Sequence, residues 1–244
     1  MLHQLFKRKK ETRWPKPRVV LTEAELDALE RWYQDWIPNF NQTFSVVHRF
    51  NHDFVARLPL PVAREGRLRT LEIGGGSGDH IRLEDLSKQD YYAVELRPEF
   101  LDTLAGLIGK ERCLLGDVQN GVPWPDAYFD RVIAIHVLEH LHNLPVALQE
   151  IERVLKPGGV FDIVLPCEAG ALYWFARQIS SKRMFEKEFD VSYERIIKSD
   201  HVNTYAEVEE ELERRFDVRV KRFFPLVIPS VHTNICVGLR VVRR

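Results

Sequence analysis

The sequence predicts an α/β protein: an open, mostly parallel sheet of seven strands with helices on both faces. Three observations predict it. Short apolar runs alternate with segments of helical period, which marks repeated strand–helix–strand units and a sheet covered on both sides. Three of those runs end in an acid: Glu72, Glu95 and Asp117. The first run passes straight into Gly74, Gly76 and Gly78, a turn in which a ligand can approach main chain that a Cβ would block. A strand, a glycine turn and a following helix at the carboxyl edge of a parallel sheet make a nucleotide cradle.

The elements follow in order. Residues 1–18 are a polar lead, and residues 1–20 carry seven basic side chains against one acid in a chain whose net charge is −1. Thr22 and Glu25 have capping-box spacing, so a helix runs through Leu26, Leu29, Trp32 and Tyr33 and stops near Pro38. A second helix spans Asn41 to Leu58, with Phe44, Val47, Phe50, Phe54 and Leu58 on one face, and Pro59 and Pro61 end it. The core then reads strand 68–73, helix from about 79, strand 91–95, helix 98–108, strand 112–116, strand 129–135, helix 143–155 and strand 159–165. Pro157-Gly158-Gly159 stops the helix before the last of these. Residues 167–204 are too long for an ordinary loop and too aromatic for disorder, with Tyr173, Trp174, Phe175, Phe185, Phe189 and Tyr193 among several cations. They read as an inserted helical lid. An acidic helix at about 205–215 and strands near 217–224 and 234–242 complete the sheet. The chain thus divides into a basic arm with a helical cap, residues 1–66, and a main domain, residues 67–244, that carries the lid at 167–204.

The glycine spacing selects among nucleotides. A dinucleotide fingerprint is G-x-G-x-x-G, whereas the frame here is Glu72-x-Gly74-x-Gly76-x-Gly78. An acid beside the turn would repel a pyrophosphate and suit a cationic ligand. The frame resembles the first motif of the class I S-adenosylmethionine (SAM)-dependent methyltransferases. Val122-Pro123-Trp124-Pro125-Asp126, His136-Val137-Leu138-Glu139-His140-Leu141 and Leu155-Lys156-Pro157-Gly158-Gly159 resemble the later motifs of their type 11-like subgroup. The resemblance is close from Arg69 to Pro166 and loose in the flanks.

That resemblance implies a Rossmann-like sheet with an N-terminal helical extension and a helical lid, and SAM as cofactor. Gly74, Gly76 and Gly78 would give the methionine and ribose portions access to main chain. Glu72 would face the ammonium, Glu95 the ribose diol and Asp117 the adenine amine. Val118 would bracket the adenine with Asp117, and His136 would begin a segment whose backbone lines the cofactor.

Methyl transfer to a hydroxyl needs alignment, exclusion of water and, where a proton must leave, a base. His140, His142 and His201 are the candidates. His136, Glu139 and His140 would share a face on a helix, but the related metal-binding pattern has Glu where His136 stands, which weakens a site for a hard cation, and no metal is expected. Cys113, Cys167 and Cys236 are far apart and read as reduced thiols. No stretch reaches the ~20 apolar residues needed to span a bilayer, and no secretory signal is evident, so the expected location is cytoplasmic. The function expected is methyl transfer to a small-molecule, lipid-linked or glycan acceptor, with oxygen as the expected acceptor atom. The basic arm keeps RNA or protein open as acceptor, and a SAM-binding scaffold without catalysis is the non-enzymatic reading.

Overall fold

The computed structural model describes residues 13–36, 45–63 and 66–244. Strands β1 (Leu68–Ile73), β2 (Gln89–Glu95), β3 (Cys113–Leu115), β4 (Phe129–Ile135), β5 (Leu155–Pro166), β6 (Phe216–Phe224) and β7 (Cys236–Arg243) form one sheet in the order β3-β2-β1-β4-β5-β7-β6. The first five run parallel, and β7 lies antiparallel to both β5 and β6. The expected doubly wound sheet is therefore present, with β1 and β4 adjacent at its centre. β5 begins four residues before the expected strand, because Leu155 already pairs with Phe129 and the register then shifts before Arg131.

Alternate residues of the strands face opposite layers. Val132, Ala134, Ile163 and Leu165 pack with helices α4 (Leu144–Val154) and α8 (Tyr205–Arg215). Ile133 and Val164 pack on the other side with α2 (Ser45–Ala56) and α3 (Leu101–Ile108). One expected helix is missing. The segment after the glycine turn makes only a 3-10 turn, Ile81–Leu83, before β2. Helix α2 supplies the cover that this segment does not. Its Phe54 ring lies so close to β7 that a Cβ on Gly238 would sit 2.4 Å from it.

Below α2, polar side chains are buried together. Arg131 has no exposed surface; its Nε donates to Asp162 at 2.7 Å and its Nη1 to Glu84 at 2.9 Å. Arg240 donates to both oxygens of Asp162 and to the Pro59 carbonyl. Burial raises the Glu84 carboxyl, but His80 and Arg131 outweigh it and hold Glu84 down at about 2. Every charge in this group has a partner, as burial requires.

Helix α1 (Glu23–Arg31) starts at Thr22 with both hydrogen bonds of the expected capping box. The stretch 37–44, which includes Pro38, Asn41 and Phe44, lies outside the described residues, as do the first twelve residues of the basic arm. Segment 167–204 is helical as expected: α5 (Ala171–Ile179), α6 (Ser181–Glu188) and α7 (Tyr193–Asp200). Ala28 and Trp32 join Phe185, Phe189, Tyr193 and Ile196 in a small core separate from that of the sheet. The N-terminal cap and the lid are thereby packed against each other. The described end of the basic arm is also docked: Arg13 and Lys16 pair with Glu207 and Glu210 of α8.

Candidate active site

A cavity of about 510 Å³ opens at the carboxyl edge of the sheet. Such edges, where the strand order reverses, are where open α/β sheets bind ligands. β1 and its turn supply Glu72, Gly74, Gly75, Gly76, Ser77 and Asp79; the segment after β4 supplies His136, Glu139 and His140. Tyr33, His48, Asn51 and His52 enter from the N-terminal side, and Arg177, Asp200 and His201 from the lid.

The glycines differ in what they do. Gly76 has φ +50°, and a Cβ added to it would meet nothing within 4 Å, so its open side is free for a ligand. Gly78 has φ +77°, but a Cβ there would lie 2.4 Å from Leu107, and it does not line the cavity. Its task is to let the turn pack on α3. Glu72 is only 2% exposed and accepts a hydrogen bond from Tyr91 at 3.0 Å. Burial pushes its carboxyl up to about 7, against the pull of His80 and Tyr91. A buried carboxylate with one donor and a cavity before it fits a cationic ligand group.

Glu95, Asp117 and Val118 do not line this cavity. The Glu95 carboxylate accepts from the Gly76 N–H at 2.8 Å and from the Arg97 N–H at 2.9 Å, so it ties the glycine turn to the end of β2. Asp117 accepts from the Gln119 backbone and side chain, and Val118 is buried in the main core. Beside them Leu96 and Leu115 are 64% and 50% exposed at the strand ends.

The His136–His140 segment is a 3-10 turn rather than a regular helix, yet its side chains still converge. His136 adopts φ +54°, an uncommon conformation for a residue with a Cβ, and its N–H donates to Val164 at 2.9 Å. Its Nδ1 lies 3.1 Å from the buried Glu139 carboxylate, and its Nε2 has no partner. His140 Nδ1 contacts the Asp200 carboxylate at 3.1 Å. Burial opposes charge on His140, but Asp200 and Glu139 outweigh it and raise the imidazole to about 9. Charged at neutral pH, His140 has no lone pair with which to act as a base. His201 Nδ1 lies 2.5 Å from Glu168. His142 bonds the Lys16 carbonyl at 3.1 Å and stands outside the cavity.

Four contributors escape a reading of the sequence. Tyr33 donates to Asp200 at 2.5 Å and carries the Arg97 guanidinium 3.4 Å above its ring. Buried Asn203 donates to the Leu138 and Leu141 carbonyls and so pins the turn. His48 and His52 stand four residues apart on α2, a spacing that is the only sequence signal for them.

With this geometry in place, comparison with known proteins decides the family of the central segment. Residues 71–163 match the family model described as a methyltransferase domain. They form a class I SAM-dependent methyltransferase domain. The malonyl-[acyl-carrier protein] O-methyltransferase of Halorhodospira halophila is 33% identical over 96 residues, 37% of this chain and 32% of that one. A phthiotriol/phenolphthiotriol dimycocerosates methyltransferase of Mycobacterium ulcerans is 27% identical over 68% of this chain and 62% of its own. The chain thus spans about a third of the first relative and under two thirds of the second. Among solved structures, the (4+2)-cyclase SpnF superposes with a TM-score of 0.59 and 16% identity, over 93% of this chain and 98% of its own. That likeness establishes the shared fold, and a fold alone does not name a reaction.

Proposed function

We propose that this protein transfers the methyl group of SAM to an oxygen atom of a small-molecule, lipid-linked or glycan acceptor. The observation that carries the proposal is that Glu72 and the open side of Gly76 line the same cavity as His136 and His201, each of which has a carboxylate at its Nδ1. SAM supplies an electrophilic methyl on a sulfonium. Glu72 receives the ammonium, and Gly76 lets the ligand lie against the turn. Leu96 and Leu115 flank the adenine, with Asp117 as acceptor for its amine. Glu95, already holding the turn through Gly76, keeps acceptor capacity for the ribose diol.

At the acceptor end, His136–Glu139 and His201–Glu168 are arranged for proton removal. A carboxylate on Nδ1 fixes the tautomer that leaves Nε2 as the acceptor nitrogen. His140, charged, would hold an oxygen rather than deprotonate it. The relatives support the acceptor class: one is named a malonyl-[acyl-carrier protein] O-methyltransferase and the other a phthiotriol/phenolphthiotriol dimycocerosates methyltransferase. Internal pairing of Arg13 and Lys16 with α8 removes two of the cations on which an RNA reading rests.

Purified protein with methyl-labelled SAM and an extract of its source cells tests the reading. Label should enter a lipid, glycan or small-molecule fraction and fall at least tenfold with Glu72→Gln or Asp117→Ala. Label confined to RNA or protein would replace this acceptor class, and SAM binding without any labelled product would favour the scaffold reading.

A further inference from the structure

Six of the nine histidines line this cavity. Two groups among them offer ligand atoms within 4.8 Å of one another: His140–Asp200–His201 and His48–His52–Asp79. The first is a closed network. His140 is bonded to Asp200, His201 to Glu168, and Asp200 also accepts from Tyr33.

The second group is under-satisfied. His48 and His52 stand on one face of α2 with ring centroids 4.5 Å apart, and Asp79 reaches them from the glycine turn. The His48 Nε2–Asp79 Oδ2 distance is 3.4 Å, at the outer edge of a hydrogen bond. It is also about the separation of two ligands each ~2.0–2.1 Å from a tetrahedral ion. His52 Nδ1 is shielded from solvent without a partner, and so is Oδ1 of buried Asn51, which lies between the two histidines in sequence and lines the same cavity.

We propose that His48, His52 and Asp79 bind a divalent transition-metal ion, with a fourth position open to the cavity. Two imidazoles and one carboxylate suit an ion of borderline softness such as zinc and do not suit magnesium or calcium, which prefer an all-oxygen shell. Three protein ligands with one open position is the arrangement of a metal that meets a ligand rather than of a purely structural one. On the methyltransferase reading, that position would orient an oxygen of the acceptor. Metal binding itself does not depend on that reading.

The test uses the untagged full chain, freed of metal by chelation and dialysis. Cobalt titration should give one equivalent with the visible absorption of a four-coordinate ion, and zinc should displace it. His48→Gln and His52→Gln should each weaken cobalt binding by at least about tenfold, with unchanged far-UV circular dichroism. His48→Cys should retain the ion and add a sulfur-to-cobalt charge-transfer band, which a misfolded variant would not show. His201→Gln should bind as the parent does. Absence of a cobalt spectrum in the parent, undiminished binding in the His48→Gln/His52→Gln double variant, or loss in His201→Gln would each overturn the assignment. SAM calorimetry on the metal-free protein is read separately, so that its failure would strike the methyltransferase reading and leave the metal result intact.

Discussion

At the scale of single residues, Glu72, the group proposed to receive the ammonium, weakens the fold that carries it. Its folded carboxyl titrates at about 7, raised from 4.5 chiefly by burial. The sign follows: a raised acid is protonated in both states below 4.5, so the penalty is absent there. It grows as pH rises and is complete above about 7, reaching roughly 3 kcal/mol at 1.36 kcal/mol per unit. Glu72→Gln keeps an oxygen for the Tyr91 hydroxyl and removes the charge. Ligand-free Glu72→Gln should melt above the parent at pH 8 and with it at pH 4, while SAM affinity at pH 8 falls at least tenfold by calorimetry. A variant that melts below the parent at pH 8 would show that the carboxylate is already paired. His140 runs the other way. Its imidazole is raised to about 9 by Asp200 and Glu139, so its contribution is full below 6.5 and is lost as pH rises through 9. Carbon-detected histidine NMR should find this ring charged at pH 7.5. Asp200→Asn should bring its titration down by at least one unit, and an unmoved titration would reject Asp200 as its main partner.

At the scale of elements, the instructive case is the helix that does not form after Gly78. Ile81, Leu83 and Leu86 offer an apolar rhythm, but only ten residues separate Gly78 from β2, and Glu84 turns inward to Arg131 and Gln89. The face is covered instead by α2, which arrives from upstream with Phe54 and Val55. Local pattern cannot show that exchange, because tertiary packing decides it. β4 is legible residue for residue, since Phe129-Asp130-Arg131-Val132-Ile133-Ala134-Ile135 is a bounded buried run. The site divides in the same way. Glu72 and Gly76 follow from spacing along one turn, whereas Asp200 and His201 enter from a lid whose path the sequence does not encode locally. The role of α2 is testable at its closest contact. Gly238→Ala places a Cβ 2.4 Å from the Phe54 ring and should cost about 1–3 kcal/mol in chemical denaturation. Phe54→Leu should recover part of that loss in the double variant. Additive effects of the two substitutions would mean that α2 does not bear on β7 there.

At the scale of the whole molecule, the cavity is closed by a body that does not belong to the main core. Trp32 contacts Phe185 at 4.9 Å and Tyr193 at 6.1 Å between ring centroids, which joins the end of α1 to α6 and α7. Arg195 of α7 bonds Glu25 of α1 on the other side of the same junction. The next residue along the chain, Tyr33, bonds Asp200 and lies under Arg97 from the end of β2. The end of α1 and helices α6 and α7 therefore share one small core apart from the sheet, whereas α2 and Tyr173 of α5 pack on the sheet itself. Regions with few buried apolar contacts open at lower free energy than central strands. This arrangement predicts that α1, α6 and α7 exchange amide hydrogens as one unit, faster than β4 and β5. Trp32→Ala should raise exchange in all three helices together by at least tenfold and leave β4 and β5 unchanged. SAM should slow the same three helices in the parent, because a ligand in the cavity rests against both the sheet and the contacts that close it. Faster exchange confined to α1, with α6 and α7 protected as before, would mean that the lid stands without the cap and that entry to the cavity is governed by the lid alone.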